Sequence, residues 1–421
     1  MAASSFDKPQ QKDLDKCVHC GLCLNACPTY RELGVEMDSP RGRIYQMVQI
    51  ANGTAKIDDS YVEHMDLCLA CRACESACPS GVPYGRLIEA ARTEIASVRP
   101  RPFLMRMAYQ HLLPSRTNLK IAGTLLWLYE KLGLQALVRS TGLLPKRLAE
   151  TEALSPPIEK PFFYESYGKT FPAEGVRKYR VAFLGGCIAN LSFARLNDAT
   201  VRVLQKNGCE VVVPDAQNCC GALQVHAGMR EEGRTLARQN IDAVVDKGFD
   251  AVICNAGGCG STLKEYDELL EHDPAYAEKA RKFVALMKDV SEFLASTDFN
   301  RNFKELPITV TYQDSCHLAH GQKVRGAPRK LLSAIPGLKL REMQNSDLCC
   351  GSAGVYNVIH TDLAMQLLDS KMAYVKAAGA EYIATANPGC MLQLRYGAKK
   401  YGTGQQVLHV VEILDRAYGN Q

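Results

Sequence analysis

At 421 residues the chain exceeds the length at which one hydrophobic core usually stops growing, so two or three domains are expected. Its 47% apolar and 23% charged residues are those of a soluble globular protein, and a net charge of +5 does not argue for a nucleic-acid partner. Eighteen cysteines lie in metal-ligand groupings rather than in a short disulfide framework, which points to a reducing cytoplasm with thiolates held by metal. The stretch from Met1 to Lys16 is polar and lacks an apolar h-region, so no signal peptide is expected. No run of about 18 apolar residues occurs, so no transmembrane helix is expected either.

The first 98 residues carry a repeated run. Cys17-x2-Cys20-x2-Cys23-x3-Cys27-Pro28 returns as Cys68-x2-Cys71-x2-Cys74-x3-Cys78-Pro79. A thiolate every third residue wraps three ligands around a [4Fe–4S] cube, and in two-cluster ferredoxins the fourth Cys crosses to the other cube. The expected sets are Cys17, Cys20, Cys23 and Cys78 for one cluster, and Cys68, Cys71, Cys74 and Cys27 for the other. Zinc, which takes four ligands and usually two separated pairs, fits this spacing poorly. Ser39-Pro40 is a helix start, with a helix expected over 40–50, and a second is expected over 84–98. Arg41 and Arg43 sit where they could face a cluster or a partner, with a solvated helix face the favoured reading. The whole segment reads as a mostly helical two-cluster module.

Residues 99–178 form a connector. From Arg99 to Arg147 there are nine Lys or Arg against one acid, Glu130, interleaved with apolar residues at roughly helical spacing. Such a helix can lie on an anionic membrane surface. The favoured reading is a connector packed between domains, its basic face solvated, and docking to a partner subunit is equally compatible with that. Residues 151–178, with Pro156-Pro157, Pro161 and Pro172, read as an irregular linker.

Thereafter short apolar strands alternate with amphipathic helices, which argues for parallel α/β units. Strands are expected at 180–184, 210–213, 251–254, 307–312 and 381–385. This half repeats internally. Cys187, then Cys219-Cys220-Gly221, then Cys259 are matched by Cys316, then Cys349-Cys350-Gly351, then Cys390, with 31 and 38 residues between cysteines in the first copy and 32 and 39 in the second. The expected class is thus α + α/β. A helical two-cluster domain (1–98) and connector (99–178) precede two pseudo-twofold-related Cys-Cys-Gly lobes (179–300 and 301–421).

Glycine after the paired cysteines permits positive φ, so both thiols can turn toward one site. Each copy then offers four sulfur ligands: Cys187, Cys219, Cys220 and Cys259, or Cys316, Cys349, Cys350 and Cys390. An iron–sulfur cluster, a zinc site and a redox-active thiol pair all remain open, with soft thiolates favouring iron–sulfur. Cys209 and Cys254 lack counterparts and read as small buried hydrophobes, although Cys254 is close to Cys259 in sequence. His226, His317 and His320 lie near these motifs, where a histidine could donate a proton or hydrogen bond beside a reducible cluster; satisfied, partly buried side chains are the favoured reading. No G-x-G-x-x-G follows a strand, so no flavin or nicotinamide site is expected on this chain.

The stretches 17–30, 39–47, 68–82, 219–223, 257–266, 348–357 and 383–390 together resemble the iron–sulfur subunits of bacterial glycolate oxidase (glycolate dehydrogenase). Related modules occur in the iron–sulfur subunits of anaerobic glycerol-3-phosphate dehydrogenase and in heterodisulfide reductases. The resemblance implies an electron-transfer subunit with no catalytic residue of its own. Separate flavin-binding partner subunits would oxidise glycolate to glyoxylate, and electrons would continue toward a quinone acceptor. The place implied is the cytoplasm, at the inner face of the membrane if 99–147 touches it. Glycerol 3-phosphate and lactate are alternative substrates of the same arrangement. Heterodisulfide reductase modules can end in Cys-x-x-Cys; Ala256 and Asn387 stand here instead, which weighs against direct disulfide reduction.

Overall fold

The computed structural model describes residues 4–141, 152 and 156–420. Lys146 and Arg147 of the basic connector lie outside them.

The N-terminal region is helical. Ser39 accepts a hydrogen bond from the Gly42 amide at 3.0 Å and Pro40 occupies the first turn, starting the helix Pro40–Ala51. Gly42 is required there, because a Cβ would stand 2.0 Å from the Glu36 carbonyl oxygen. The helix Tyr84–Val98 buries Tyr84, Leu87, Ile88, Ala91 and Ile95, one face of a 3.6-residue period. These side chains meet Leu14, Ile44, Met47 and Met65 in a core that also contains Cys68 and Cys74.

The connector continues as helices Phe103–Met107, Arg116–Lys131 and Leu134–Thr141. Only Leu119 and Gly123 of the longest one are buried, and Gly123 sits so close to Leu191 and Phe162 that a Cβ would meet them at 3.0 and 3.2 Å. Ile121, Leu125, Leu128 and Leu132 are exposed. The outward face is therefore apolar as well as basic, because the small buried stripe leaves the other leucines nothing to pack on.

Among the described residues nine strands follow: β1 (Thr170–Phe171), β2 (Tyr179–Phe183), β3 (Cys209–Val212), β4 (Ala251–Cys254), β5 (Met287–Asp289), β6 (Thr309–Tyr312), β7 (Lys339–Arg341), β8 (Tyr382–Thr385) and β9 (Gln406–His409). They form a five-stranded sheet in the order β1-β3-β2-β4-β5 and a four-stranded sheet in the order β7-β6-β8-β9. All pairings are parallel except β1 with β3. Leaving β1 aside, both sheets have the strand order second, first, third, fourth. Their cores are not separate. Phe183, Val211 and Ile253 of one sheet share an apolar cluster with Tyr312, Ile383 and Leu408 of the other.

The five expected strands form within two residues of their expected bounds. Four further strands have no counterpart among those expected. β1 lies in the stretch read as irregular linker, and β5, β7 and β9 are three- or four-residue edges with little apolar patterning. Such short strands exist through their backbone partners, which a periodicity cannot show.

Candidate functional site

Two cavities lie among the eight N-terminal thiols. One, with about 420 Å³ of empty volume, is lined by Cys17, Cys20, Cys23 and Cys78, with Cys74, Ile44, Val82 and Tyr84 as walls. The other, of about 280 Å³, is lined by Cys27, Cys68, Cys71 and Cys74, with Arg43 and Tyr84. The fold thus draws the fourth cysteine of each run beside the first three of the other. Backbone conformation accomplishes the wrapping. His19 and Ala70 occupy the same place in the two runs, at φ 53° and 51°, and Gly21 and Arg72, one past the second Cys of each, have φ 82° and 63°. Left-handed non-glycine residues are costly, and their repetition in both runs marks the loops as sites where surrounding structure imposes the turn.

The donor set suits iron–sulfur chemistry. Burial pushes the Cys71 and Cys74 thiols well above their usual range, because a thiolate in an apolar pocket lacks solvation. Iron bound there would supply the positive charge that holds them ionised. Cys27 Sγ lies 3.2 Å from Thr29 Oγ1, the Ala70 amide donates to Cys68 Sγ at 3.4 Å, and the Tyr84 hydroxyl donates to the same sulfur at 3.7 Å. Such hydrogen bonds tune cluster potentials.

Arg43 departs from its expected solvated face. It is 0% exposed, donating to the His64 carbonyl at 2.7 Å, Thr29 Oγ1 at 3.2 Å and Asp38 at 3.3 Å. The helix Pro40–Ala51 turns this side chain into the second cavity's wall, and its charge is met by Asp38. Arg41 stays part-exposed, paired with Glu36 at 2.7 Å and donating to the His19 carbonyl beside the first cavity. Sequence reasoning allowed either arginine to face a cluster and favoured solvent for both, because only packing tells which helix face is inward.

The second set of cysteines gathers at the carboxyl ends of strands. Cys187 follows β2 by four residues and Cys259 follows β4 by five; Cys316 and Cys390 follow β6 and β8 by the same intervals. β2 pairs with β4 and β6 with β8, where the strand order reverses direction and open sheets collect ligands. Gly221 and Gly351 have φ 80° and 86°; a Cβ on Gly351 would stand 2.4 Å from the Ala364 carbonyl oxygen. Each Cys-Cys pair is thereby turned toward the strand-end cysteines. Cys187 and Cys219 sulfurs are 3.5 Å apart. Hydrogen bonds from Cys219 and then Cys259 lower Cys220 to about 6, whereas contact with Cys219 and burial raise Cys187. In the second lobe the thiols interact in the same succession, Cys316, Cys349, Cys350, Cys390, and contact with Cys349 raises Cys350 to about 12. Among the described residues, no three His, Cys, Asp or Glu side chains are grouped so that they would hold a single metal ion.

Cys209 lies buried on β3 apart from these groups, while Cys254, also buried, contacts Cys259 and extends the first lobe's thiol chain. Asn387 donates to Cys390 Sγ at 3.5 Å and accepts from the Gly258 amide at 3.1 Å, tying the two lobes together beside both sites. The three histidines are all engaged across the same junction. His226 Nδ1 pairs with Glu89 at 2.8 Å, His317 Nε2 with the Ala70 carbonyl at 2.9 Å, and His320 Nδ1 with Ser76 Oγ at 2.8 Å. Each joins the N-terminal region to a lobe. Cys71, Cys349 and Cys316 share one apolar cluster, so the second thiol cavity adjoins the second lobe's site.

Comparison with known proteins bears on this architecture. Residues 13–82 match the 4Fe-4S dicluster domain, residues 181–264 and 310–395 match the cysteine-rich domain twice, and residues 100–155 match the linker region of the glycolate oxidase iron–sulfur subunit. The probable glycolate oxidase iron–sulfur subunit of Bacillus subtilis is 42% identical, covering 99% of this chain and 96% of that protein. The chain belongs to the family of glycolate oxidase iron–sulfur subunits. The Escherichia coli glycolate oxidase iron–sulfur subunit is 36% identical over 96% of this chain and 94% of its own length. A fumarate reductase (CoM/CoB) subunit of Methanothermobacter marburgensis is 28% identical over 98% of this chain and 74% of its own. As a family member the chain is an iron–sulfur protein with two cysteine-rich modules. No helix among the described residues is long and apolar enough to cross a membrane.

Proposed function

We propose that this chain is the electron-transfer subunit of a flavin-dependent glycolate dehydrogenase complex. Partner flavin subunits oxidise glycolate to glyoxylate, and the chain carries the electrons toward quinone at the inner face of the cell membrane. The observation that carries the reading is the pair of adjacent cavities, each bordered by three cysteines of one run and the fourth of the other. Cys17, Cys20, Cys23 and Cys78 would hold one [4Fe–4S] cluster; Cys68, Cys71, Cys74 and Cys27 the other. Such clusters accept and release single electrons without bond rearrangement. The chain's own residues exclude water with Ile44, Val82 and Tyr84, donate hydrogen bonds to the sulfurs, and place Arg43 against the second cavity.

The two lobes, related by a pseudo-twofold axis in this reading, would each hold a further cluster on Cys187, Cys219, Cys220 and Cys259, and on Cys316, Cys349, Cys350 and Cys390. Their common strand order and identical strand-to-cysteine intervals support it. Asn387 and Ala256, standing where a fifth cysteine would be needed, weigh against disulfide reduction as the activity.

The test is anaerobic purification with and without the co-expressed flavoprotein. Glycolate is expected to bleach the iron–sulfur absorbance only when the flavoprotein is present. Bleaching of the isolated chain by glycolate would overturn the subunit reading, and turnover of a disulfide by the isolated chain would replace it.

A further inference from the structure

The connector presents an apolar surface that the electron-transfer role does not explain. Ile121, Leu125, Leu128 and Leu132 are 55%, 62%, 38% and 68% exposed. Spacings of four, three and four residues align the first three along one stripe of the helix Arg116–Lys131, and Leu132 continues it just past the helix end. The preceding helix adds Phe103 and Leu104 at 70% and 80% exposure, and the following one adds Leu137 at 58%. Exposed apolar side chains so concentrated mark a binding surface rather than ordinary scatter.

The charge around this surface selects the occupant. Between Arg99 and Arg147 the sole acid is Glu130, and its carboxylate is turned inward to accept from the Ile158 amide. Arg99, Arg101, Arg116 and Arg139 pair with Asp59, Asp66, Asp215 and Glu152. Arg106 and Lys131 remain exposed, next in sequence to Met105, Met107, Glu130 and Leu132. Asp59 and Asp215 are exposed too, but each is held by its arginine partner, which leaves the cations of Arg106 and Lys131 beside the exposed aliphatic and aromatic side chains, the combination an interfacial helix offers to anionic headgroups.

We propose that the helices Phe103–Met107 and Arg116–Lys131 seat this protein on an anionic phospholipid surface, with Phe103, Leu104, Leu125 and Leu132 entering the acyl boundary. The inference rests on the reading that the acceptor is a membrane quinone and assigns the surface that would bring the chain to it.

The test uses the full chain, purified anaerobically with its clusters, and co-sedimentation with vesicles of phosphatidylcholine alone or mixed with phosphatidylglycerol. Binding is expected to be at least tenfold tighter to the mixed vesicles and to weaken with salt. Leu125→Glu/Leu132→Glu is expected to lower it tenfold or more with unchanged iron–sulfur absorbance. Arg106→Glu/Lys131→Glu is expected to remove the preference for phosphatidylglycerol. Failure of the unaltered chain to bind mixed vesicles would overturn the proposal. So would full binding by both variants, or loss of flavoprotein association by the Leu variant while vesicle binding persists. None of these readouts involves glycolate, so they are separable from failure of the subunit reading.

Discussion

The two cysteine-rich lobes have one strand order and the same cysteine positions, yet differ in the side chains just beside them. The last residue of β4 is Cys254, in contact with Cys259; its counterpart at the end of β8 is Thr385, which donates to Gln313 at 2.7 Å. The last residue of the final strand caps the next helix in both lobes. In the first it is Asp289, accepting from the Ser291 amide, and in the second His409, accepting from the Val411 amide, each with a capping-box glutamate three residues on. The second lobe also sits against the N-terminal thiols, through His317 to the Ala70 carbonyl and the Tyr356 hydroxyl to the Leu67 carbonyl at 3.0 Å. A shared backbone plan sets where thiols converge; the residues beside them make the two sites chemically unequal.

The largest effects are expected at the paired cysteines. Cys220→Ser is expected to remove the metal of the first lobe only, and Cys350→Ser that of the second only, by iron and zinc analysis of each purified variant. Loss of both complements from either substitution would show a single shared site.

Smaller, pH-dependent effects are expected at the two helix caps. Burial holds the Asp289 carboxyl up at about 7 against an ordinary 3.8. The folded chain binds this proton more tightly than the unfolded chain, so the group's contribution is complete below about pH 4 and is lost as pH rises toward 7. Asp289→Asn is expected to raise stability by on the order of 2 kcal/mol at pH 8 and change little at pH 4, read from urea midpoints. His409 runs the other way. Burial lowers its imidazole to about 4 from 6.5, so stability is intact above about pH 6.5 and lost as pH falls toward 4. His409→Asn is expected to flatten that acid limb, with a gain of about 1 kcal/mol near pH 5.

The smallest effect is expected at Cys254. Cys254→Thr, which copies the second lobe's residue, should keep the metal content of the first lobe and cost about 1 kcal/mol through the imperfectly matched hydroxyl. Loss of metal from this variant would make Cys254 a fifth ligand.

The sequence by itself determined the features that are local. The Cys-x2-Cys-x2-Cys-x3-Cys-Pro runs, the Ser39-Pro40 helix start, the helix 84–98 and five β-branched strands all follow from short-range spacing and propensity. The cysteine intervals, matching to within one residue, also made the repeat legible without the sheets. Tertiary structure alone decided which side chains face the sites. Arg43 and Arg41, two residues apart on one helix, end respectively buried and part-exposed because packing chooses the inward face. β1, β5, β7 and β9 exist because neighbouring strands complete their hydrogen bonds. Leu125, Leu128 and Leu132 stay outside because the surface beneath the helix takes Leu119 and Gly123, with Trp127 partly packed beside them. Spacing along a chain encodes what a segment can form; only the surfaces it meets determine which of its faces is covered.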